Sequence, residues 1–530
     1  MSATLEQEEL AAPGVQLGLE DRCPDALKMP GVGVVWVFLL GALFWVQSYQ
    51  KIHVTDVWGH LSYGQQIWQT RTLPVTEPIM PLASGVPFID TAWGSQVLAY
   101  LAEARFGGPA LQFLHAASMT AMIGLLVWCW QKRTGRFWIT LLGTIAFLAI
   151  CWQQFMVTRP QLAGMVCFSA LLVLLSTRWR TAHWVAIPAL MLAWTNLHGS
   201  FIVGILLLAC LCVGRAIDLL IKTGRPASWL QDRPLRRLIV VFQLAVLATL
   251  INPYGLVLYY EVLPFAENPN LLDLSEWQPL YARSYQGMMV LGSLVVLAFL
   301  YRQTPRRVSA MEVLTLLLFA GLTLWSARMI VWFAPLASMA LVWHLHAIVQ
   351  QRQTAAKTIA ARNHLDEELE TVPKRRGLWS VVAVGMVWIF FAYTPFGLRT
   401  IYGNRIPLKP VTAVTTPTGA AAYLVKYPPK GQIFNTYEWG DYLYWAGPKG
   451  LKIFVNSHAD RVPADVWRHY MAISNVSSGW EDYLDLYSVN TIVVDKAERG
   501  SLIGRLRDHE KWNRVYEDNM AIIYTRKQPI

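Results

Sequence analysis

Apolar stretches close to 20 residues long recur along this chain from about residue 32 to about residue 395. A helix of about 20 residues is long enough to cross a hydrocarbon core of roughly 30 Å. Such a stretch has to be helical inside lipid, because no water is present there to bond the backbone amides. The sequence therefore predicts an α-helical polytopic membrane protein with about eleven transmembrane helices, over approximately residues 32–50, 111–130, 137–155, 161–176, 184–198, 200–221, 237–252, 286–301, 311–325, 328–349 and 378–395.

The composition agrees with a membrane protein and argues against a nucleic-acid partner. Hydrophobic residues make up 54% of the chain, and the mean hydropathy is +0.34. The net charge is +11, but the basic residues lie in short loops between apolar stretches, where they orient membrane helices. No basic surface studded with aromatic residues is visible, so we predict no nucleic-acid binding.

The basic residues also predict the orientation of the chain. With a cytoplasmic N-terminus, the inside loops hold twenty Lys and Arg residues and the outside loops hold six. Such a bias is typical of an N-in, C-out protein. We expect a multi-pass protein of the plasma (inner) membrane, with residues 1–31 as a disordered cytoplasmic tail, 32–395 as the transmembrane domain and 396–530 as a soluble extracytoplasmic, periplasmic domain.

The C-terminal domain has the pattern of a small α/β fold. Four stretches have strand character, and short helical segments lie between them. We expect a largely parallel sheet, with polar residues gathered where its strands end. The predicted strands are Gly431–Asn435, Leu451–Val455, Thr491–Asp495 and Met520–Tyr524, and the polar residues that follow them include Asn435, Glu438, Asp441, Asn456, His458, Asp460 and Arg461. These residues could bind a ligand, or simply cap loops and bond strand ends.

Candidate functional residues concentrate in the outside loops. The long first loop, residues 51–110, holds Asp56, His60, Glu77 and Asp90, and a helix from about Trp58 to Thr70 that we expect at the membrane interface, anchored by Trp58 and Trp68. The later loops and outer helix ends add Arg159, His198, Glu276, Trp277 and Arg328. Each has a structural alternative: Asp56 as a helix cap, the two arginines bound to lipid phosphates, His198 as a packed interfacial residue.

Ionisable side chains near a bilayer are costly and usually serve a site. Here they lie at one membrane face, and none lies in the middle of a predicted span, which disfavours an ion-coupled transporter. Arginine suits a phosphate, because its planar fork matches two oxygens. A carboxylate can accept the proton of an attacking hydroxyl. The combination indicates transfer of a sugar from a lipid phosphate.

Three short motifs resemble those of the GT-C membrane glycosyltransferases, and in outline the resemblance covers most of the chain. Residues 55–61 read TDVWGHL and are followed by Glu77-Pro78, similar to the D-x-W-x-H-L and D-P pattern of the oligosaccharyltransferase branch. Residues 275–279 (SEWQP) resemble its S-x-S-E-x-Q-P loop, and residues 438–442 (EWGDY) echo its W-W-D-Y-G motif in a different order. The superfamily also includes protein mannosyltransferases and aminoarabinose transferases.

The resemblance implies a glycosyltransferase of the cell envelope. Its donor would be a polyprenyl-phosphate or polyprenyl-diphosphate sugar, and its acceptor a glycan, lipid or protein. We assign catalytic roles to Asp56 and Glu276, and substrate binding to His60, Glu77, Arg159, His198, Trp277 and Arg328. The alternatives are a lipid or lipid-linked-sugar transporter and an inactive scaffold for polysaccharide export.

The resemblance leaves a metal cofactor open. In the oligosaccharyltransferase branch a second acidic motif helps to hold a divalent metal, whereas here the corresponding residues 156–161 read MVTRPQ and contain no acid. If Mg²⁺ or Mn²⁺ binds, Asp56 is the expected ligand, with Glu276 next. A metal-free mechanism is at least as well supported by the resemblance.

Overall fold

The computed structural model describes Pro24 and residues 28–362 and 376–530. The predicted tail at residues 1–31 lies almost wholly outside this range, as does part of the last inside loop. The helices are α1 Gly31–Ser48, α2 Asp56–Thr70, α3 Trp93–Phe106, α4 Gly108–Thr134, α5 Phe137–Cys151, α6 Gln161–Ser176, α7 His183–Leu197, α8 Phe201–Thr223, α9 Ser228–Gln231, α10 Arg233–Thr249, α11 Val257–Val262, α12 Tyr285–Gln303, α13 Ala310–Trp325, α14 Ile330–Arg362, α15 Arg376–Ala392, α16 Pro395–Tyr402, α17 Thr418–Lys426, α18 Tyr437–Ala446, α19 Ala464–Ser474, α20 Trp480–Leu486 and α21 Gly500–Leu506. The strands are β1 Gln432–Asn435, β2 Val489–Asp495, β3 Trp512–Glu517 and β4 Ala521–Arg526.

The helical part of the chain is built to span a membrane several times. Within the described residues, six helices are long and apolar enough to cross a bilayer, or seven if the pair Gly377–Ala392 and Pro395–Arg405, bent by 84°, is one span. Two more apolar helices, α6 and α13, are shorter. A helix overlies each of the eleven predicted spans, but the count of eleven is not confirmed, because several of these helices are short for a full crossing.

Side-chain caps and close packing define the ends and contacts of these helices. Asp232, Ser284, Ser309 and Thr394 accept backbone N–H groups at the first turns of α10, α12, α13 and α16. In the interior, a side chain on Gly164 would overlap the Ser200 hydroxyl, so only glycine allows α6 to approach the α7–α8 turn this closely.

Helices α2 and α3 of the first long loop form a layer between the membrane helices and the C-terminal part of the chain. They pack against each other, and a side chain on Gly64 would overlap the backbone of Gln96. Trp58 is buried, and its ring contacts Tyr442 and Trp445 of α18. The prediction that Trp58 anchors the membrane interface is therefore wrong, because the C-terminal domain covers this face of α2.

The C-terminal strands form one mixed sheet in the order β1-β2-β4-β3. Strands β1 and β2 are parallel, with Phe434 opposite Ile492, whereas β2–β4 and β3–β4 are antiparallel. The expected α/β domain is present, but the expectation of a largely parallel sheet is wrong. Strand β3 escaped prediction because most of its residues are exposed, which leaves little hydrophobic signal.

The predicted strand at Leu451–Val455 does not form, although it is mostly buried. A single bridge joins Gln432 to Lys452. Beyond it, the side chain of Asn435 replaces a neighbouring strand: its Oδ1 accepts the Phe454 N–H at 2.9 Å, and its Nδ2 donates to the Val455 carbonyl at 2.9 Å. The Phe454 N–H and the Val455 carbonyl are thus bonded by a side chain rather than by a neighbouring strand.

Candidate active site

A cavity of about 430 Å³ lies where the membrane helices, the first long loop and the C-terminal domain meet. It is the size of a small-ligand site. Seven of the eight predicted site residues line it, contributed by segments that are far apart in the sequence: Asp56, His60, Arg159, His198, Glu276, Trp277 and Arg328.

Four of these residues form a chain of alternating charge. The guanidinium of Arg159 pairs with Asp56 and also contacts Glu276, with 2.5 Å between Nη1 and Oε2. The other oxygen of Glu276 lies 2.6 Å from Nη1 of Arg328, whose guanidinium stacks 4.8 Å from the Trp277 ring. Both arginines therefore point into the cavity and pair with carboxylates, which does not fit the alternative that they only bind bulk lipid phosphates.

Asp56 is the first residue of α2 and is 6% exposed. It does not act as a side-chain cap, so the helix-cap alternative is not what the structure contains. Oδ2 pairs with Arg159, whereas Oδ1 has no hydrogen-bond partner among the described residues. The N-terminal end of α2 and the guanidinium of Arg159 both place positive charge beside this carboxylate.

Glu276 lies in a three-residue 3₁₀ turn, Ser275–Trp277. Burial opposes its ionisation, but the guanidinium groups of Arg328 and Arg159 outweigh burial and lower its pKa to about 2. Glu276 is therefore ionised at neutral pH, and unlike Asp56 it has both carboxylate oxygens paired with arginines.

Histidines form the polar wall next to Asp56. His60 lies one helical turn after Asp56; its Nδ1 is 3.2 Å from Nε2 of Gln96, and its ring is 5.1 Å from that of His458. Burial, followed by the neighbouring His458, lowers the pKa of His60 well below its usual range, and burial also lowers that of His458. These rings are therefore neutral at neutral pH and act as hydrogen-bonding groups.

The C-terminal domain closes one side of the cavity through the turn Ala459–Arg461 and its neighbours. Arg461 lies 2.8 Å from Glu261 and 3.0 Å from Asp460, and it donates to the Ile89 carbonyl at 3.1 Å. The sequence pattern singled out His458, Asp460 and Arg461 as polar residues after a strand without assigning them to this site. Their position directly after the predicted strand Leu451–Val455 was the only sequence signal that could have assigned them to this cavity.

Asp90 is a cavity residue that the sequence analysis noted in the first loop without assigning it a role. Its Oδ1 accepts the Ala92 N–H at 2.9 Å, and its Oδ2 is buried without a hydrogen-bond partner in the described part of the chain. Burial raises the pKa of Asp90 to about 7. A buried, half-satisfied carboxyl in a cavity wall is typical of a group that meets a ligand.

Glu77 is the predicted site residue that does not line the cavity. Its carboxylate accepts the Tyr63 hydroxyl at 3.0 Å and the N–H groups of Ile79 and Met80 at 2.8 and 3.2 Å. These bonds hold the turn after Pro78, so the structure favours a structural role for Glu77.

Asp441, in the EWGDY motif, supports the site from the C-terminal side. It is fully buried, and its Oδ2 accepts the Ser457 N–H at 3.1 Å. Burial raises its pKa to about 8, with the carboxylates of Asp56 and Glu77 acting in the same direction. Asp441 is therefore largely protonated at neutral pH.

The donor set around Asp56 does not fit a divalent cation. Nowhere in the described ranges do three or more His, Cys, Asp or Glu side chains converge as metal ligands would. The carboxylates that would bind an ion, Asp56 and Glu276, are neutralised by Arg159 and Arg328. A metal at Asp56, which the sequence left open, therefore has no support in these contacts.

Comparisons with known proteins find similarity in structure only. No protein-family model matches the sequence, and no curated protein is similar to it. ArnT from Cupriavidus metallidurans bound to undecaprenyl phosphate is 13% identical with a TM-score of 0.51, covering 93% of this chain and 98% of ArnT. Apo ArnT from the same organism is 14% identical with a TM-score of 0.50, and the match covers 93% of this chain and 97% of ArnT. The apo oligosaccharyltransferase of Archaeoglobus fulgidus is 10% identical with a TM-score of 0.49, and the match covers 87% of this chain and 69% of the oligosaccharyltransferase. The chain thus shares the fold of ArnT over nearly its whole length, and the GT-C fold indicated by its sequence motifs is confirmed.

Proposed function

We propose that this protein is a membrane glycosyltransferase that moves a sugar from a polyprenyl-phosphate donor to an extracytoplasmic hydroxyl or amide. The observation that carries the proposal is the cavity in which a carboxylate with one unpartnered oxygen, Asp56 Oδ1, lies beside two partly buried arginines, Arg159 and Arg328. ArnT, which shares the fold, has been crystallised with undecaprenyl phosphate. Both support a polyprenyl phosphate as the lipid partner.

The arginines suit the phosphate of the donor. When the bond between the anomeric carbon and the phosphate oxygen breaks, the polyprenyl phosphate leaves with one additional negative charge. In the free protein, Glu276 and Trp277 hold Arg159 and Arg328 in place, so these arginines need little reorientation to meet a phosphate. Guanidinium groups bind two phosphate oxygens at once, which also orients the donor.

Asp56 suits the role of general base. Its free Oδ1 would accept the proton of the acceptor hydroxyl while that oxygen bonds to the anomeric carbon. The proton ends on Asp56, the sugar on the acceptor and the electron pair of the broken bond on the phosphate. Since Arg159 pairs with Oδ2, the base and the phosphate-binding group belong to one cluster and can reach the same bound donor.

The cavity wall also suits the sugar. Asp90 Oδ2, Gln96 Oε1 and His458 Nδ1 are buried atoms that have no hydrogen-bond partner among the described residues. All three can accept hydrogen bonds, and sugar hydroxyls are donors. A glycosyl group would satisfy atoms that are otherwise costly to bury.

Turnover of labelled donors tests the proposal. The purified protein in lipid would be incubated with polyprenyl-phosphate sugars that carry a radiolabel in the sugar. We expect the label to leave the lipid, and Arg328→Gln to slow this by about a hundredfold, the scale for losing one electrostatic stabiliser of the transition state. A folded protein that releases no label from any member of a broad donor panel would contradict the proposal and favour a transporter or a scaffold.

A further inference from the structure

The carboxylate of Glu276 lies between Arg159 and Arg328 with one oxygen on each guanidinium, at 2.5 and 2.6 Å. Two oxygens of one phosphate would make the same pair of contacts. We infer that Glu276 occupies the position of the donor phosphate in the free protein and is displaced when the donor binds. This inference rests on the proposed function and goes beyond it, because it gives Glu276 the role of a placeholder rather than of a catalytic group.

The charge of the cluster requires such a displacement. Asp56, Arg159, Glu276 and Arg328 together carry two negative and two positive charges. A donor phosphodiester adds one negative charge, and an unbalanced charge in a largely buried site is costly. If Glu276 moves away, Asp56 and the phosphate balance the two arginines.

Glu276 is the carboxylate that can leave. The Glu276 side chain is 36% exposed, against 8% for Asp56, so it can rotate towards water and stay solvated. Simple protonation is not an alternative, because the two arginines keep its pKa far below neutral pH. The movement therefore has to be a physical one.

The surrounding loop confines this movement to a few residues. On one side, Asn270 donates to the Ala459 and Val462 carbonyls at 2.8 Å, and Trp467 donates to Asp273 at 2.7 Å. On the other side, the Ala327 N–H donates to the Gln278 carbonyl at 3.0 Å. Glu276 lies in the short turn between these anchors, so a rotation of its side chain frees the arginines without opening the loop.

Binding of undecaprenyl phosphate itself, without a sugar, tests the inference. Parent, Glu276→Gln, Glu276→Asp, Glu261→Gln and Arg328→Gln proteins would be reconstituted in nanodiscs and titrated with radiolabelled undecaprenyl phosphate at neutral pH. Glu276→Gln should bind about tenfold more tightly than the parent, because no anion has to be displaced. Glu276→Asp, whose carboxylate is too short to reach both arginines equally, should gain less.

Glu261→Gln is the matched control, since Glu261 pairs with Arg461, a different arginine of the same cavity. Equal gains in Glu276→Gln and Glu261→Gln would reflect a general increase in positive charge and would overturn the placeholder role. An unchanged or weaker affinity in Glu276→Gln, with Arg328→Gln still weakened, would overturn this inference and leave the proposed function standing. If parent and Arg328→Gln bound equally, or neither bound, the proposed donor site would fail, and the inference with it.

Discussion

The side chain of Asp441 lies directly against the α-carbon of Gly59, so that a methyl group at residue 59 would overlap the Asp441 carboxylate. This contact joins α18 of the C-terminal domain to α2, one turn after Asp56 and directly before His60. The same interface includes the Thr55 hydroxyl, which donates to the Glu438 carbonyl. The C-terminal domain thus supports the helix that carries the proposed base.

Gly59→Ala should push α2 and α18 apart. We expect a loss of about 1–3 kcal/mol in stability, the usual cost of overpacking, together with reduced turnover because Asp56 shifts. Melting of the detergent-solubilised protein, followed by fluorescence, measures the first effect. Gly504→Ala is the control: it lies in α21 of the same domain with open space around it and should be neutral or gain about 0.5–1 kcal/mol. Equal melting temperatures for Gly59→Ala and the parent would contradict the contact.

The raised pKa of Asp441 predicts how stability depends on pH. Between the ordinary pKa of a carboxyl and about 8, the folded protein holds a proton that the unfolded chain has lost, so stability falls as pH rises. The slope contributed by Asp441 is up to about 1.4 kcal/mol per pH unit. Asp90 and Glu438, with pKa values of about 7, act in the same direction at lower pH.

Melting temperatures of the parent and of Asp441→Asn, compared from about pH 7 to about pH 8, isolate the contribution of Asp441. The lowered pKa values of His60 and His458 make stability rise with pH, but only up to the ordinary histidine pKa of about 6.5. We expect the parent to lose stability over the chosen range and Asp441→Asn to lose distinctly less. A parent curve as flat as that of Asp441→Asn would show that Asp441 does not carry its proton at neutral pH.

Asp90→Asn should separate sugar binding from phosphate binding. Asparagine keeps the Oδ1 bond to the Ala92 N–H but replaces the unpartnered Oδ2 with a donor. The affinity for a glycosylated donor should fall by up to about tenfold, the value of one hydrogen bond, whereas the affinity for undecaprenyl phosphate should not change. Equal losses for both lipids would place Asp90 at the phosphate or in a purely structural role.

Labelling of single cysteines tests the predicted orientation. In a background without the six native cysteines, Lys449→Cys in the C-terminal domain and Arg225→Cys between α8 and α9 are both exposed positions. An impermeant maleimide should label residue 449 in intact cells and residue 225 only after permeabilisation, as the distribution of basic residues indicates. The reverse pattern would mean that the chain is inverted.

The sequence was informative about which ionisable residues share a site, because charged groups near lipid are costly and usually serve one. This reasoning brought Asp56, Arg159, Glu276 and Arg328 into one candidate set, and these four line one cavity. The ion pairs among them could not be predicted, because Arg159 and Glu276 are 117 residues apart and no sequence periodicity relates one loop to another.

Two of the errors share a physical cause, which is that a distant segment replaces the expected neighbour. Trp58 has an interfacial pattern but is covered by α18, and Leu451–Val455 has a strand pattern but is bonded by the side chain of Asn435. Glu77 resembles a motif carboxylate, yet Tyr63 and the backbone of its own turn satisfy it. The local sequence pattern indicates whether a residue is buried or polar, but it does not indicate which distant residue contacts it.

The most direct test of the account compares sugar transfer by the parent protein and by Asp56→Asn. Both proteins, shown first to bind undecaprenyl phosphate, would receive the same polyprenyl-phosphate donors with radiolabelled sugars. We predict that the parent releases or transfers the label and that Asp56→Asn does so at least about a hundredfold more slowly, since general base catalysis is worth about 10²–10⁴ in rate. Equal rates for the two proteins would contradict the role of Asp56, and the absence of turnover by either would contradict the assignment as a glycosyltransferase.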